Sequence, residues 1–213
     1  MKAPALLAAA VAGLVALAAC ADIGSPTRGD LYEFRQILGP GDTISFHWPE
    51  ERMPLKFWAR DTLNLALHVD SAIAVWQRQF LYHEFTGERV EDSANADVIV
   101  TIGSPPGNGG VLLASADACQ GATDIALDPE TRVLTPPLHI YIAPRFLPDL
   151  PETQACFNIV AIHELGHALG ILRHSSNPND IMFSNPTVPL PSERDRNTVQ
   201  VMYHWPMNVT VTP

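Results

Sequence analysis

The chain has 213 residues, 46% of them hydrophobic, with 13 Lys and Arg against 23 Asp and Glu and a formal net charge of −10. That length suits one compact domain with a proper core and does not require two. The acidic balance excludes nucleic acid, and electrostatic adhesion to anionic lipid, as the basis of function.

Met1 and Lys2 precede a run from residue 5 to 19 that is uninterruptedly apolar or Gly. Such a run fits an export signal and is too short for a membrane-spanning helix of about 20 residues. Its end, Leu17-Ala18-Ala19-Cys20, resembles the lipobox of bacterial lipoproteins. The resemblance implies cleavage before Cys20, acylation of that cysteine, and an exported protein anchored by lipid at the bacterial cell envelope, with the outer membrane or periplasmic face favoured. A plain secretory signal cut after an Ala-rich site is the alternative. Residues 1–19 are thus expected to be a signal peptide and 20–41 a Gly/Pro/polar tether with local structure around 31–38. The domain is expected to span 42–205, followed by a C-terminal tail, 206–213.

Residues 43–48 and 55–59 alternate as a strand or hairpin around Pro49-Glu50-Glu51. Residues 63–80 read as a helix with Leu67, Ala74, Val75 and Phe80 at apolar positions and Trp76 buried. Strands follow at 85–90 and 97–103, then a Gly/Pro-rich loop at 103–110. Residues 119–127 and 138–143 are two more strands, joined through Asp128-Pro129-Glu130-Thr131 and a Pro136-Pro137 step. With Cys20 assigned to the anchor, Cys119 and Cys156 form an even pair, which in an exported chain suggests a disulfide from the sheet region to the start of the next helix. Two free buried cysteines are the other reading. The order contains one parallel-type crossover through the first helix and predicts a twisted mixed sheet against two helices.

That next helix carries Phe157, Ile159, Val160, Ile162, Leu165, Ala168 and Leu169, an almost all-round apolar pattern expected of a helix buried through a domain. Within it stands His163-Glu164-Leu165-Gly166-His167. Two imidazoles four residues apart lie about 40° apart around a helix of roughly 3.6 residues per turn, so both reach one ion from the same face. Glu164 is one step round, near enough to hydrogen-bond a metal-bound water without being a ligand, which makes it the candidate general base. A catalytic zinc takes three protein ligands and keeps one open position. Gly170 tolerates the left-handed conformation that ends a helix, so the chain can turn back and bring His174 to the metal. A final helix is expected over 190–203, started by a Ser192 cap, with Asp195, Val199, Met202 and Tyr203 at helical spacing.

The segment from His163 to Ser176 resembles the long zinc motif of the metzincin metalloproteases, in particular the matrixins. One departure is plain: three residues, Ile171, Leu172 and Arg173, stand between Gly170 and His174 where metzincins have two. Arg173 then holds the usual ligand position and cannot bind zinc. His174 is taken as the ligand, with Asp180 or a water as the competing third partner. Asn179-Asp180-Ile181-Met182-Phe183 resembles the methionine turn of metzincins, in which Met182 would be a polarizable floor under the histidines. The likeness covers residues 43–203 and is specific between 160 and 183.

What the resemblance implies is an α+β, metzincin-like zincin fold: a twisted mixed sheet, two long helices, and a small C-terminal subdomain with a Met-turn and a final helix. It implies a monomeric zinc endopeptidase with one catalytic Zn2+, acting on polypeptide substrates. His139, Ile140, Tyr141 and Ile142 would lie on the edge strand that receives an extended substrate. Calcium stays open on Asp117, Asp124, Asp128 and Glu130, whereas a structural zinc is not expected in a region, 103–135, without histidine. A catalytically silent scaffold that acts as a binding protein, and an amidohydrolase of cell-wall peptides, are the competing functions.

Overall fold

The computed structural model describes residues 29–105, 114–116, 119–145, 147 and 149–212; the apolar N-terminal run and Cys20 lie outside the described residues. The unit described below is Leu31–Pro213.

A six-stranded sheet carries the site. In chain order its strands are β3 (Leu55–Ala59), β4 (Gly87–Arg89), β5 (Val98–Ile102), β6 (Ala114–Ala116), β7 (Cys119–Asp124) and β10 (Leu138–Pro144), arranged β4-β3-β5-β10-β7-β6. The first four in that arrangement are parallel, and β7 runs antiparallel to both β10 and β6. Alternation decides the faces: Leu55, Phe57, Val98, Val100, Leu138, Ile140 and Ile142 are buried, while Lys56, Trp58, Ile99, His139 and Tyr141 point to the other side. Helices α1 (Leu65–Gln77) and α2 (Pro151–Leu169) cover the buried face, with α1 making the β3-to-β4 crossover. The Trp76 indole ties the two helices by donating to the Ile162 carbonyl at 2.7 Å.

Four expectations are corrected. First, the strand holding His139, Ile140, Tyr141 and Ile142 is not an edge: Leu138 pairs with Val98 of β5 and His139 with Asp124 of β7, so both sides of β10 are already hydrogen-bonded. No substrate strand can add there. Second, 43–48 and 55–59 do not form a hairpin. Gly41, at φ 76°, closes an earlier turn that pairs β1 (Gln36–Gly39) with β2 (Asp42–Ile44), and a 3-10 turn at Glu50–Arg52 then carries the chain into the main sheet.

Third, α1 begins at Leu65 because Leu63 and Asn64 both sit at positive φ, which a helix cannot contain. Fourth, the domain reaches past both expected boundaries. Tyr32 and Phe34 are buried in the core, so 31–41 is not tether. The C-terminal residues are no tail either: Val209 is buried, and β11 (Thr210–Val211) pairs with β9 (Val133–Leu134), itself paired with β8 (Leu127–Asp128).

Candidate metal centre

Helix α2 starts with Pro151 at its first position, where a missing N–H costs nothing, and is buried along most of its length from Cys156 to Leu169. Its end is fixed by Gly170 at φ 121°. The Gly170 N–H donates to the His167 carbonyl at 3.0 Å and the Ile171 N–H to the Gly166 carbonyl at 3.1 Å, which is the Schellman pairing. The Leu172 N–H then donates to the Phe34 carbonyl at 2.8 Å. These bonds take up the extra residue after Gly170 and deliver His174 to the helix face that carries His163 and His167.

The three rings converge. Nε2 of His167 is 3.1 Å from Nε2 of His163 and 3.3 Å from Nε2 of His174, and all the nitrogens that could bind an ion lie within 4.8 Å of one another. Nδ1 of His163 donates to the Ile181 carbonyl at 2.7 Å, and Nδ1 of His167 to the Ile171 carbonyl at 2.6 Å. A carbonyl only accepts, so the proton is on Nδ1 and each Nε2 presents a bare lone pair. Lone pairs facing each other at 3.1 Å repel unless something positive lies between them. Burial pushes His163 well below the ordinary histidine range, with the charge of His167 adding to it, and takes His167 to about 3. Burial also lowers His174. The rings are therefore in the neutral, ligating form at neutral pH, and this trio could hold a metal ion.

Asp180 is not part of the trio. Its carboxylate accepts from Ser175 Oγ, from Ser192 Oγ at 2.7 Å and from Arg194 Nε at 3.1 Å, so it braces the loop. Among the described residues, His163, His167 and His174 are the one group of three or more His, Cys, Asp or Glu side chains brought together as potential ligands. Asp128 caps its own turn by accepting from the Glu130 and Thr131 N–H groups. Asp117 lies outside the described residues.

Glu164 is fully buried. Burial pushes its carboxyl up to about 8, against the opposing effect of a hydrogen bond from Thr123. That bond, Oγ1 to Oε2, is 2.6 Å long, and Oε1 has no hydrogen-bond partner. A β-carbon at Gly121 would come within 2.4 Å of Oε1, so only glycine leaves that oxygen its space. Cys119, on the same strand, is disulfide-bonded to Cys156 of α2.

Met182 is buried with its sulfur against Gly166, where a β-carbon would meet it at 2.4 Å. The turn around it hangs from Asp195 of helix α3 (Glu193–His204). Asp195 accepts from the N–H groups of Ile181 at 2.8 Å, Met182 at 3.4 Å and Ser192 at 2.8 Å, and from the Tyr32 hydroxyl at 2.7 Å. Asp195→Ala should therefore destabilise the protein by about 3 kcal/mol, because several buried donors lose their partner at once. Urea denaturation measures it, and a loss under about 1 kcal/mol would contradict this assignment.

Sequence reasoning missed Thr123, Gly121 and Tyr32. Only Gly121 left a signal, since a glycine inside a strand often marks a close approach.

A search of curated proteins finds no match for the chain. The model of the Matrixin family matches residues 61–204, a span that runs from the turn before α1 to the last residue of α3 and takes in all three histidines. Matrixins bind zinc, the mixed sheet and three helices described above are consistent with that family's fold, and the cluster of His163, His167 and His174 could hold a metal ion. The chain belongs to the matrixin family, a metzincin-type group of zinc metallopeptidases.

Proposed function

We propose that the protein is a zinc-dependent endopeptidase that hydrolyses peptide bonds of extracytoplasmic proteins. One observation carries the reading: the Nε2 atoms of three histidines converge, two of them left proton-free by Nδ1 bonds to backbone carbonyls, and the same helix holds a buried carboxylate whose Oε1 has no hydrogen-bond partner. Held by His163, His167 and His174, zinc would supply the Lewis acid that polarises the scissile carbonyl and acidifies a water. Glu164 Oε1 takes a proton from that water and returns it to the leaving amine.

An extended substrate would pair along β7. Among the described residues no strand pairs with Ala122, Thr123 or Asp124 on the side away from β10, and this stretch passes directly over Glu164. The Cys20 lipobox supports placing the enzyme at the bacterial cell envelope through a lipid anchor.

The test is cleavage of a denatured-protein or peptide library by the purified protein, with and without a chelator. Cleavage that stops on chelation and returns with zinc is the expected result. A protein that binds zinc and cuts nothing would instead be a silent scaffold.

A further inference from the structure

Strand β7 meets helix α2 through three alternate residues, which lie on one face of the strand. Cys119 is bonded to Cys156 about two helical turns before Glu164. Gly121 leaves the space beside Oε1 clear. Thr123 reaches Glu164 at two points, with Oγ1 2.6 Å from Oε2 and 3.1 Å from the backbone carbonyl. The two oxygens of one carboxylate therefore stand in unlike surroundings: Oε2 is engaged and Oε1 is not.

We propose that Thr123 is a positioning residue, whose hydroxyl holds Oε2 of Glu164 so that Oε1 alone is presented to the reacting water. The terminal torsion of a glutamate is broad and roughly two-fold, so burial by itself does not select one rotation of the carboxylate. The hydroxyl does. Without it the carboxylate turns about its axis, and Oε1 leaves the direction in which the proton has to travel. The proposal rests on the hydrolytic reading above and adds to it a side chain that acts on the reaction through Glu164.

Thr123→Val keeps the shape of the side chain and removes the hydroxyl. Because small misplacements of reacting groups cost up to about 10²-fold, kcat should fall roughly 10- to 100-fold while KM and zinc per chain stay near wild type. Thr123→Ser should recover most of kcat. In cobalt-loaded protein, the visible absorption bands, which respond to the surroundings of the metal-bound water, should shift in Thr123→Val and return in Thr123→Ser. A merely structural residue would lower thermal stability and metal content together and leave the folded fraction with normal kcat.

Wild-type kcat in Thr123→Val overturns the proposal. If the wild-type protein itself cuts no peptide, the hydrolytic reading fails, and the cobalt spectrum decides this one: a shift supports it and unmoved bands overturn it. Should Thr123→Val not fold, Thr123→Ala lacks the same hydroxyl and is read in the same way.

Discussion

Glu164→Gln should lower kcat for peptide cleavage by roughly 10²- to 10⁴-fold, the range expected for loss of a positioned general base. Zinc per chain and KM should change little, since the amide has the shape of the carboxyl and His163 and His167 keep their own backbone partners. The same variant should be more stable than wild type in the metal-free state. Burial raises this carboxyl from 4.5 to about 8, so between those values the folded chain keeps a proton that the unfolded chain has released. Wild-type stability therefore falls as pH rises through that window, and a side chain that does not titrate escapes the loss. Peptide kinetics, metal analysis and urea melts of the metal-free proteins at pH 5 and pH 8 check all parts. Cleavage at the wild-type rate would remove Glu164 from the mechanism.

Gly170→Ala should be the most damaging small substitution in the helix-ending turn. At φ 121° an L side chain is strained, which costs about 1–3 kcal/mol. In addition, the new β-carbon would lie 2.1 Å from the Phe46 carbonyl oxygen, a backbone atom that cannot swing aside. Overpacking of this kind adds roughly 1–3 kcal/mol, so a total of about 2–6 kcal/mol is expected. Domains of this size have about 5–15 kcal/mol in all, and the thermal midpoint should drop by roughly 10 °C. Relief of the clash would also displace the turn that delivers His174, so zinc affinity should fall with stability. A variant that melts within a few degrees of wild type and binds zinc normally would show that the turn tolerates a side chain.

The site was legible where its chemistry is local. His163, Glu164 and His167 lie on one helix whose periodicity fixes their relative directions, and Gly170 marks where the chain must turn. The extra residue before His174 was readable as an insertion absorbed by the turn after Gly170, but the bonds around it were not, because they include one to Phe34, far away in the chain. Strand order was not legible. The alternation in Leu138–Pro144 says that one face is buried, yet it is the pairing with Val98 on one side and Asp124 on the other that makes the strand interior. Tyr32 and Phe34 read as part of a polar tether because their partners, Thr198 and Asp195 for Tyr32 and Leu172 for Phe34, are remote in sequence. Thr123 left no trace, since a hydroxyl in a strand has no pattern until the helix beneath it is placed.

The bridge between Cys119 and Cys156 closes a loop across 37 positions that holds four strands and the first turn of the active helix. By chain entropy such a closure is worth roughly 4 kcal/mol, a sizeable part of what a domain possesses. The molecule is thus sturdier where thiols oxidise than where they stay reduced. For the exported enzyme proposed above, a newly made chain would be less stable before this bridge closes than after it.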